Sequence, residues 1–163
     1  MFKPFKWALA AIAASLVAGG ANAATYRLPQ EGRPAITVNA ADTWSPSRPG
    51  SALNLLNPAR TGVVSISIEE APAGFSLDTF RDNYVKAAQC TLLDRTETVR
   101  LAGRTASAFY CQPTQGPLAP ARVVLLRIDP THVLSVGHSY RLDAPAAVVQ
   151  ELESVIATIT LEP

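Results

Sequence analysis

The sequence predicts an α+β domain whose mostly antiparallel sheet has about six to seven strands and carries two amphipathic helices. Alternation of apolar and polar residues predicts the strands, and it is clearest in residues 63–70. Apolar residues spaced three and four apart predict helices in segments 76–89 and 143–159. Short turns between consecutive strands favour antiparallel pairing. We expect both helices to cover one face of the sheet, leaving the other partly solvated.

The predicted strands fall into two groups, one before the first helix and one between the helices. A short extended piece at 25–28 precedes strands at 35–39, 52–57 and 63–70, and further strands follow at 97–101, 104–112, 122–129 and 132–140. Ala102 and Gly103 form a hairpin turn, and the apolar run VVLLRI is typical of a central strand. Ser76 is the predicted cap of the first helix, and Asp143 that of the second, with Pro145 in its first turn.

Residues 1–23 have the composition of a cleavable secretory signal peptide. Two lysines precede an apolar run of about 12 residues, and a small-x-small motif follows it. We expect cleavage between Ala23 and Ala24, which leaves 24–163 as a single domain in the periplasm or outside the cell. No membrane insertion is expected after cleavage, whereas an uncleaved signal would tether the same domain to the membrane.

Loss of the signal changes the charge balance of the chain. The whole chain has 14 Lys and Arg residues and 13 Asp and Glu residues, and Lys3 and Lys6 belong to the signal. The remaining domain therefore has 12 basic and 13 acidic side chains. Surfaces that bind nucleic acid need clustered positive charge, so we expect no nucleic-acid partner.

Cys90 and Cys111 are predicted to form a structural disulfide. An even pair of cysteines in an exported chain is typical of a disulfide. The alternative is a metal or redox site, but there is no C-x-x-C motif and only His132 and His138 could add imidazole ligands. We therefore expect neither a metal nor a cofactor.

Five residues of the types found in catalytic triads lie close together in the sequence: Asp129, His132, Ser135, His138 and Ser139. No G-x-S-x-G motif is present, and an Asp in a tight turn usually bonds its own backbone. The two histidines, six residues apart on one strand, would lie about 20 Å apart, too far to share a metal. We assign no catalytic residue, and a small serine/histidine hydrolase is retained as an alternative.

Two acidic pairs, Glu69 with Glu70 and Glu151 with Glu153, raise the possibility of acid–base chemistry or calcium binding. Each pair lies at the end of a predicted element or on the polar side of a helix, where charges are normally solvated. No calcium-loop motif is present. We interpret all four carboxylates as solvated.

Trp44 and Arg48, in a proline-containing loop, are the first candidates for a protein-binding surface. Trp and Arg are favoured interface anchors. Pro117, in the 113–120 loop, and Tyr140 are further candidates. The alternative for Trp44 is that its large apolar ring folds back over an edge of the core, in which case it would be buried.

Several segments occur in a familiar order: LNLLNP, VVSISIEEA, SLDTFRDNYVKAA, TVRLAGRTASAFYC, VVLLRI, VLSVGHSY and a closing helix. Over most of residues 35–160 this order resembles the PsbP-like and DcrB-type α/β/α sandwich family. The resemblance implies a non-catalytic assembly factor, chaperone of membrane effectors, phage-uptake component or subunit of a larger complex. The family pattern does not require the Cys90–Cys111 disulfide.

The predicted function is that of an exported, non-enzymatic protein-binding domain, an accessory or assembly factor of the bacterial envelope with a protein partner of unknown identity. The alternative within the class of binding proteins is an immunity or inhibitor protein that acts on an exported toxin.

Overall fold

The computed structural model describes residues 22–32, 35–72 and 74–163, so the predicted signal peptide lies outside the described residues except for positions 22 and 23. Ten strands and two helices are present in these ranges. In chain order they are β1 (Ala23–Leu28), β2 (Ile36–Ala41), β3 (Ser45–Ser47), β4 (Leu53–Leu56), β5 (Gly62–Glu70), α1 (Leu77–Ala87), β6 (Cys90–Leu101), β7 (Arg104–Pro113), β8 (Ala121–Asp129), β9 (His132–Tyr140), α2 (Ala147–Ile156) and β10 (Thr160–Leu161).

The strands form two antiparallel sheets. The large sheet has the order β3-β4-β5-β9-β8-β7-β6, and the small sheet has the order β1-β2-β10. This architecture confirms the predicted α+β class with a mostly antiparallel sheet. The short strands β3 and β10 were not predicted, because elements of two or three residues are too short to show an alternating pattern.

The two helices lie on opposite faces of the large sheet, so the prediction that both cover one face is wrong. Strand β8 shows this directly. Val124 and Leu126 pack in the core that contains α2, whereas Val123 and Leu125 pack in a second core with Phe80 of α1. The continuous apolar run of β8 follows from this arrangement, since a strand covered on both faces needs no polar side.

Helix α1 begins at the residue that the sequence predicted. The Ser76 Oγ accepts a hydrogen bond of 3.0 Å from the Thr79 backbone N–H, which confirms Ser76 as the cap. Asp78 lies in the first turn, close to the positive end of the helix dipole. Phe80 is the residue of α1 that is buried against the sheet.

Helix α2 begins without a side-chain cap, so the prediction that Asp143 caps it is wrong. Its cap position is Ala146, and Asp143 instead accepts hydrogen bonds of 2.8 and 2.6 Å from the Arg141 guanidinium in the preceding turn. The helix packs closely on β5, because a Cβ at Gly62 would lie 3.0 Å from a methyl carbon of Val148. None of the helices in the described ranges has the length and apolar character needed to cross a membrane.

The Cys90–Cys111 disulfide is confirmed, with a Cα–Cα distance of 5.6 Å. Cys90 is the first residue of β6 and follows the end of α1 closely, while the buried Cys111 lies in β7. The bridge therefore joins the start of β6 to its neighbour in the sheet, just after α1 ends.

Candidate functional site

A cleft of about 580 Å³ opens between α2, the tip of the β6–β7 hairpin and β10. Its size falls within the range of about 300–1,000 Å³ that is typical of ligand pockets. The residues that line it are mostly apolar, with two arginines and a glutamate among them: Val99, Leu101, Ile156, Leu161, Arg100, Arg122 and Glu153. Because of its size and this mixed lining, the cleft is the candidate functional site.

Three polar side chains form a row across the sheet beside this cleft. Arg122 of β8 lies opposite His138 of β9 on one side and opposite Tyr110 of β7 on the other. Residues directly opposite each other in an antiparallel sheet point to the same face. All three therefore face α2, together with Val124 of the same strand.

Glu153 of α2 joins two members of this row. Its Oε1 lies 2.9 Å from the His138 Nε2 and 2.9 Å from the Arg122 Nη1. The hydrogen bond with His138, and then the positive charge of Arg122, hold the pKa of Glu153 below its usual value although partial burial opposes this shift. His138 is only 5% exposed, so the carboxylate and the ring together connect α2 to the sheet.

The second ring nitrogen of His138 has no partner. Among the described residues, Nδ1 of His138 is the one buried side-chain N or O atom without a hydrogen bond. The tautomer that carries its hydrogen on Nε2 donates to Glu153 and leaves only an acceptor unsatisfied. The Tyr140 ring stacks near the His138 ring, with 6.3 Å between centroids.

Glu97 of β6 organises the other end of the row. It accepts hydrogen bonds from the Tyr110 hydroxyl at 3.1 Å and from the Arg95 guanidinium at 3.0 and 2.6 Å. The Arg95 hydrogen bond is the main cause of the lowered pKa of Glu97, and burial is the main cause of the raised pKa of Tyr110. Arg95 also lies 4.0 Å from the centre of the Tyr110 ring, a cation–π contact.

In this network each charged side chain has a neighbour of opposite charge. Arg122 lies between Glu153 at 2.9 Å and Glu97 at 3.9 Å, so each carboxylate has a basic neighbour. The row contains no serine, threonine or cysteine, and the Tyr110 hydroxyl, which donates a hydrogen bond to Glu97, has a raised pKa, whereas an activated nucleophile has a lowered one. The arrangement therefore holds α2 against the sheet and shapes the base of the cleft.

The interpretation that all four carboxylates are solvated is wrong for Glu153, whereas Glu151 is exposed, as that interpretation expects. Glu153 forms hydrogen bonds with Arg122 and His138 of the large sheet. The Oε2 of Glu151 accepts a hydrogen bond of 3.1 Å from the Nδ2 of Asn57, a residue that is 1% exposed. Both contacts depend on the packing of α2 against distant strands, which the helix sequence alone does not show.

The residue types of a catalytic triad do not assemble. Ser135 lies opposite Leu125 in the sheet and so faces α1, whereas His138 faces α2. His132 pairs with Asp129 at 2.9 Å at the rim of the sheet. As expected, Asp129 accepts a backbone hydrogen bond from Thr131, and this bond is the main reason that its pKa is lowered to about 2.

Within residues 22–32, 35–72 and 74–163, no three His, Cys, Asp or Glu side chains are arranged so that they could hold a metal ion.

The four candidate protein-binding residues do not form one exposed surface, although the loop of Pro117 lies beside Tyr140, whose carbonyl accepts a hydrogen bond of 2.9 Å from the Ala119 N–H. Trp44 is 8% exposed and packs in the core with α2, so the buried alternative is correct and Trp44 does not belong to an exposed surface. The guanidinium of Arg48 lies 3.5 Å from the Arg27 carbonyl oxygen. The carbonyl of Pro117 accepts a hydrogen bond of 2.9 Å from the Leu142 N–H. For Arg48, Pro117 and Tyr140 a binding role stays a prediction.

Sequence reasoning missed Arg122, Tyr110 and Glu97. The sequence contains one indication of the position of Arg122. Arg122 lies two and four residues before Val124 and Leu126 in the same strand, so its side chain shares their buried face. A buried arginine needs an acidic partner, but its identity depends on which strands are neighbours. No local pattern shows that Tyr110 lies next to Arg122 or that α2 crosses above them.

The fold is PsbP-like. No family model and no curated protein matches the chain. The solution structure of cyanobacterial PsbP (CyanoP) from Synechocystis sp. PCC 6803 matches with a TM-score of 0.61 and 12% identity, over 90% of this chain and 96% of that chain. The crystal structure of LpqN, involved in cell envelope biogenesis of Mycobacterium tuberculosis, matches with a TM-score of 0.59 and 10% identity, over 86% and 92%.

A crystal structure from Bacteroides thetaiotaomicron is also similar, with a TM-score of 0.50 and 17% identity over 79% of this chain. The chain spans 46% of that protein, less than half of its length. At such identities the similarity establishes the fold alone. The resemblance to PsbP-like proteins is thus confirmed at the level of the fold.

We expect the Glu153→Gln variant to lose about 1 kcal/mol of stability at pH 7, after allowance for the screening of a carboxylate that is 39% exposed. Because the folded-state pKa lies below the ordinary value of 4.5, this contribution is complete above pH 4.5 and disappears as the pH falls through the lower folded-state value. Urea denaturation at pH 7 and at about pH 2.5 measures the difference.

Glu162→Gln is the matched control for this experiment, since Glu162 has no side-chain partner in the described part of the chain. It should unfold like the wild type at both pH values. An equal destabilisation of Glu153→Gln at the two pH values would show that the ionised carboxylate is not what stabilises the fold.

Proposed function

We propose that this chain is an exported, non-enzymatic protein-binding domain that acts as an accessory or assembly factor of the bacterial envelope. The observation that supports this function is the open outer edge of β6 beside the cleft. The disulfide, which is typical of oxidising compartments, and the predicted signal peptide support export to the periplasm or beyond. The similar structure of LpqN, a protein involved in cell envelope biogenesis, favours the envelope.

Strand β6 is twelve residues long and forms one end of the large sheet, with β7 as its neighbour in the described residues. The opposite end is β3, which has three residues and contains Pro46. A long unpaired edge presents backbone donors and acceptors to a partner, whereas a short edge with proline does not. Strand β6 is therefore the edge that can accept another strand.

The hairpin turn shows which backbone groups of β6 point outward. Leu101 and Arg104 flank a two-residue turn whose φ angles are +50° and +75°, a geometry typical of a type I′ hairpin. These flanking residues form a hydrogen-bonded pair, and such pairs alternate with non-bonded pairs along the ladder. The N–H and C=O groups of Thr96, Thr98 and Arg100 consequently point away from β7.

A strand added at this edge would extend the large sheet and alternate its side chains between two faces. On one face they would meet the cleft, beside Val99 and Leu101. Arg95 and Glu97 lie on the same strand and form a salt bridge. Charged side chains on an edge strand disfavour its non-specific pairing with other strands. The proposed partner thus presents an extended segment with apolar side chains toward the cleft.

We expect Thr98→Pro to abolish partner capture from an envelope extract while the protein stays folded. Proline removes the outward N–H of residue 98 and blocks the edge without breaking a hydrogen bond to β7. Affinity pull-down with the purified protein measures capture, and thermal unfolding measures the fold.

Thr98→Val is the control, since it keeps the N–H and has high strand propensity, and it should capture the same partner as the wild type. A partner held equally well by Thr98→Pro would exclude the β6 edge. Absence of any stoichiometric partner of the wild type would contradict the proposed function itself.

A further inference from the structure

A pocket of about 350 Å³ lies where one end of the β1–β2 pair meets the ends of β5, β8 and β9. Its lining is mainly apolar and comes from both sheets: Leu28, Pro29, Ala35, Ile68 and Ile128. The volume falls within the range of about 300–1,000 Å³ that is typical of ligand pockets. The pocket shares no lining residue with the cleft, so it is independent of the proposed function.

The apolar part of this lining is held in place by the core. Ile68 of β5 and Ile128 of β8 pack against the core that contains α2, yet both side chains are only half-buried. Leu28 of β1 belongs to the same core and is 1% exposed. A ligand in the pocket would therefore meet apolar side chains whose positions are already fixed, and would remove part of their surface from water.

Three titratable side chains line the same pocket. Glu70 and His132 lie opposite each other in the β5–β9 pair, so both point to the face of Ile68. The register of the β8–β9 pair shifts just before Asp129 and places it opposite His132. In a regular strand, Asp129 would point to the opposite face from Ile128, so the irregular register brings its carboxylate to the pocket.

The Asp129 carboxylate determines which nitrogen of His132 carries hydrogen. Nδ1 of His132 lies 3.0 and 2.9 Å from the two carboxylate oxygens. The backbone hydrogen bond from Thr131 is the main reason that the pKa of Asp129 is about 2, so this carboxylate is ionised and only accepts hydrogen bonds. Nδ1 is therefore the donor. In the neutral ring Nε2 is then an acceptor, and none of the described residues donates a hydrogen bond to it.

The polar part of the lining offers mainly hydrogen-bond acceptors. Besides Nε2 of His132 these are the carboxylates of Glu70 and Asp129, which would repel an anionic ligand. The Arg104 guanidinium donates to carbonyl oxygens at the end of β8 and is not part of the lining. An ammonium group would lose hydration against a mainly apolar wall, while Asp129 is already paired with His132. A neutral donor suits this lining better than either ion.

We propose that this pocket binds a neutral, mainly apolar molecule whose hydroxyl group donates a hydrogen bond to the Nε2 of His132. The apolar body of the ligand covers Ile68 and Ile128, and the hydroxyl finds the acceptor that Asp129 has oriented. Alcohols and phenols of one or two rings are the ligand class that combines such a body with a single neutral donor.

The test is an NMR titration of the purified protein with four probes that share one apolar body: 4-ethylphenol, 4-ethylanisole, 4-ethylbenzoate and 4-ethylbenzylammonium. We expect 4-ethylphenol to cause saturable shifts of backbone amide signals at residues 28, 35, 68 and 128–132, and to bind more tightly than the other three. It should also shift the ¹⁵N signal of Nε2 of His132 in the wild type, a readout that depends on no variant.

His132→Phe keeps a planar ring but removes the acceptor. It should bind 4-ethylphenol about 3- to 10-fold more weakly, the range expected for one neutral hydrogen bond, and should bind 4-ethylanisole like the wild type. Thr98→Val, in β6, is the distant control and should bind all four probes like the wild type. Equal affinity of the wild type for 4-ethylphenol and 4-ethylanisole would overturn the proposal, as would tighter binding of either ion or an unmoved Nε2 signal.

Discussion

Trp44→Ala is expected to destabilise the fold by about 3–5 kcal/mol, the cost of removing a large aromatic side chain from a packed core. Trp44 is 8% exposed and packs in the core that joins the small sheet, the large sheet and α2. It also lies beside Ala40 of β2 and Val155 of α2, at the contact between these elements. Urea denaturation followed by far-UV circular dichroism measures the loss.

Trp44→Phe serves as the control, because it keeps an aromatic ring and should lose considerably less stability. Arg48→Ala, four residues further along, should leave stability nearly unchanged, since its contact is a long hydrogen bond at an exposed site. If Trp44→Ala kept full stability and lost only partner capture, Trp44 would be an interface anchor after all.

The second large effect is expected from the disulfide. The Cys90→Ser, Cys111→Ser double variant should lose about 3 kcal/mol, because the bridge closes a loop with a sequence separation of 21 residues and so restricts the unfolded chain. A drop in Tm of roughly 10 °C should accompany it for a domain of this size. Thermal and urea unfolding with and without a reducing agent measure both quantities.

Reduction provides an internal control for this experiment. The wild type in reducing agent should match the double variant, and the double variant should not respond to the reducing agent. If reduction left the wild-type stability unchanged, the chain-entropy contribution of this loop would be negligible and the bridge would not stabilise the fold.

Local pattern was enough to locate most of the elements. Alternation identified β5, the polar cap Ser76 identified the start of α1, and the turn at Ala102 and Gly103 identified the β6–β7 hairpin. Each of these signals depends on residues within a few positions of one another, so it is readable without knowing the fold. The start of β6 was placed seven residues too late, since its exposed first half has no alternating pattern.

The sequence indicated some residues of the candidate site, but it did not indicate that they lie together. The sequence analysis considered His138 as a catalytic or metal-binding residue and Glu153 as one of an acidic pair, but it did not connect them. It did not consider Arg122. They meet because β8 and β9 pair in one particular register and α2 crosses above them. Register is set by contacts distant in sequence, and a shift of one residue would turn Arg122 to the other face.

The sequence by itself determined the fold class, the cysteine pair and most of the secondary structure, because periodicity and capping act over a few residues. The tertiary structure alone decided that the helices cover opposite faces, that Trp44 is buried and that β6 forms an open edge. These features depend on the burial of surfaces far apart in the chain, and that burial is settled only when the whole domain packs.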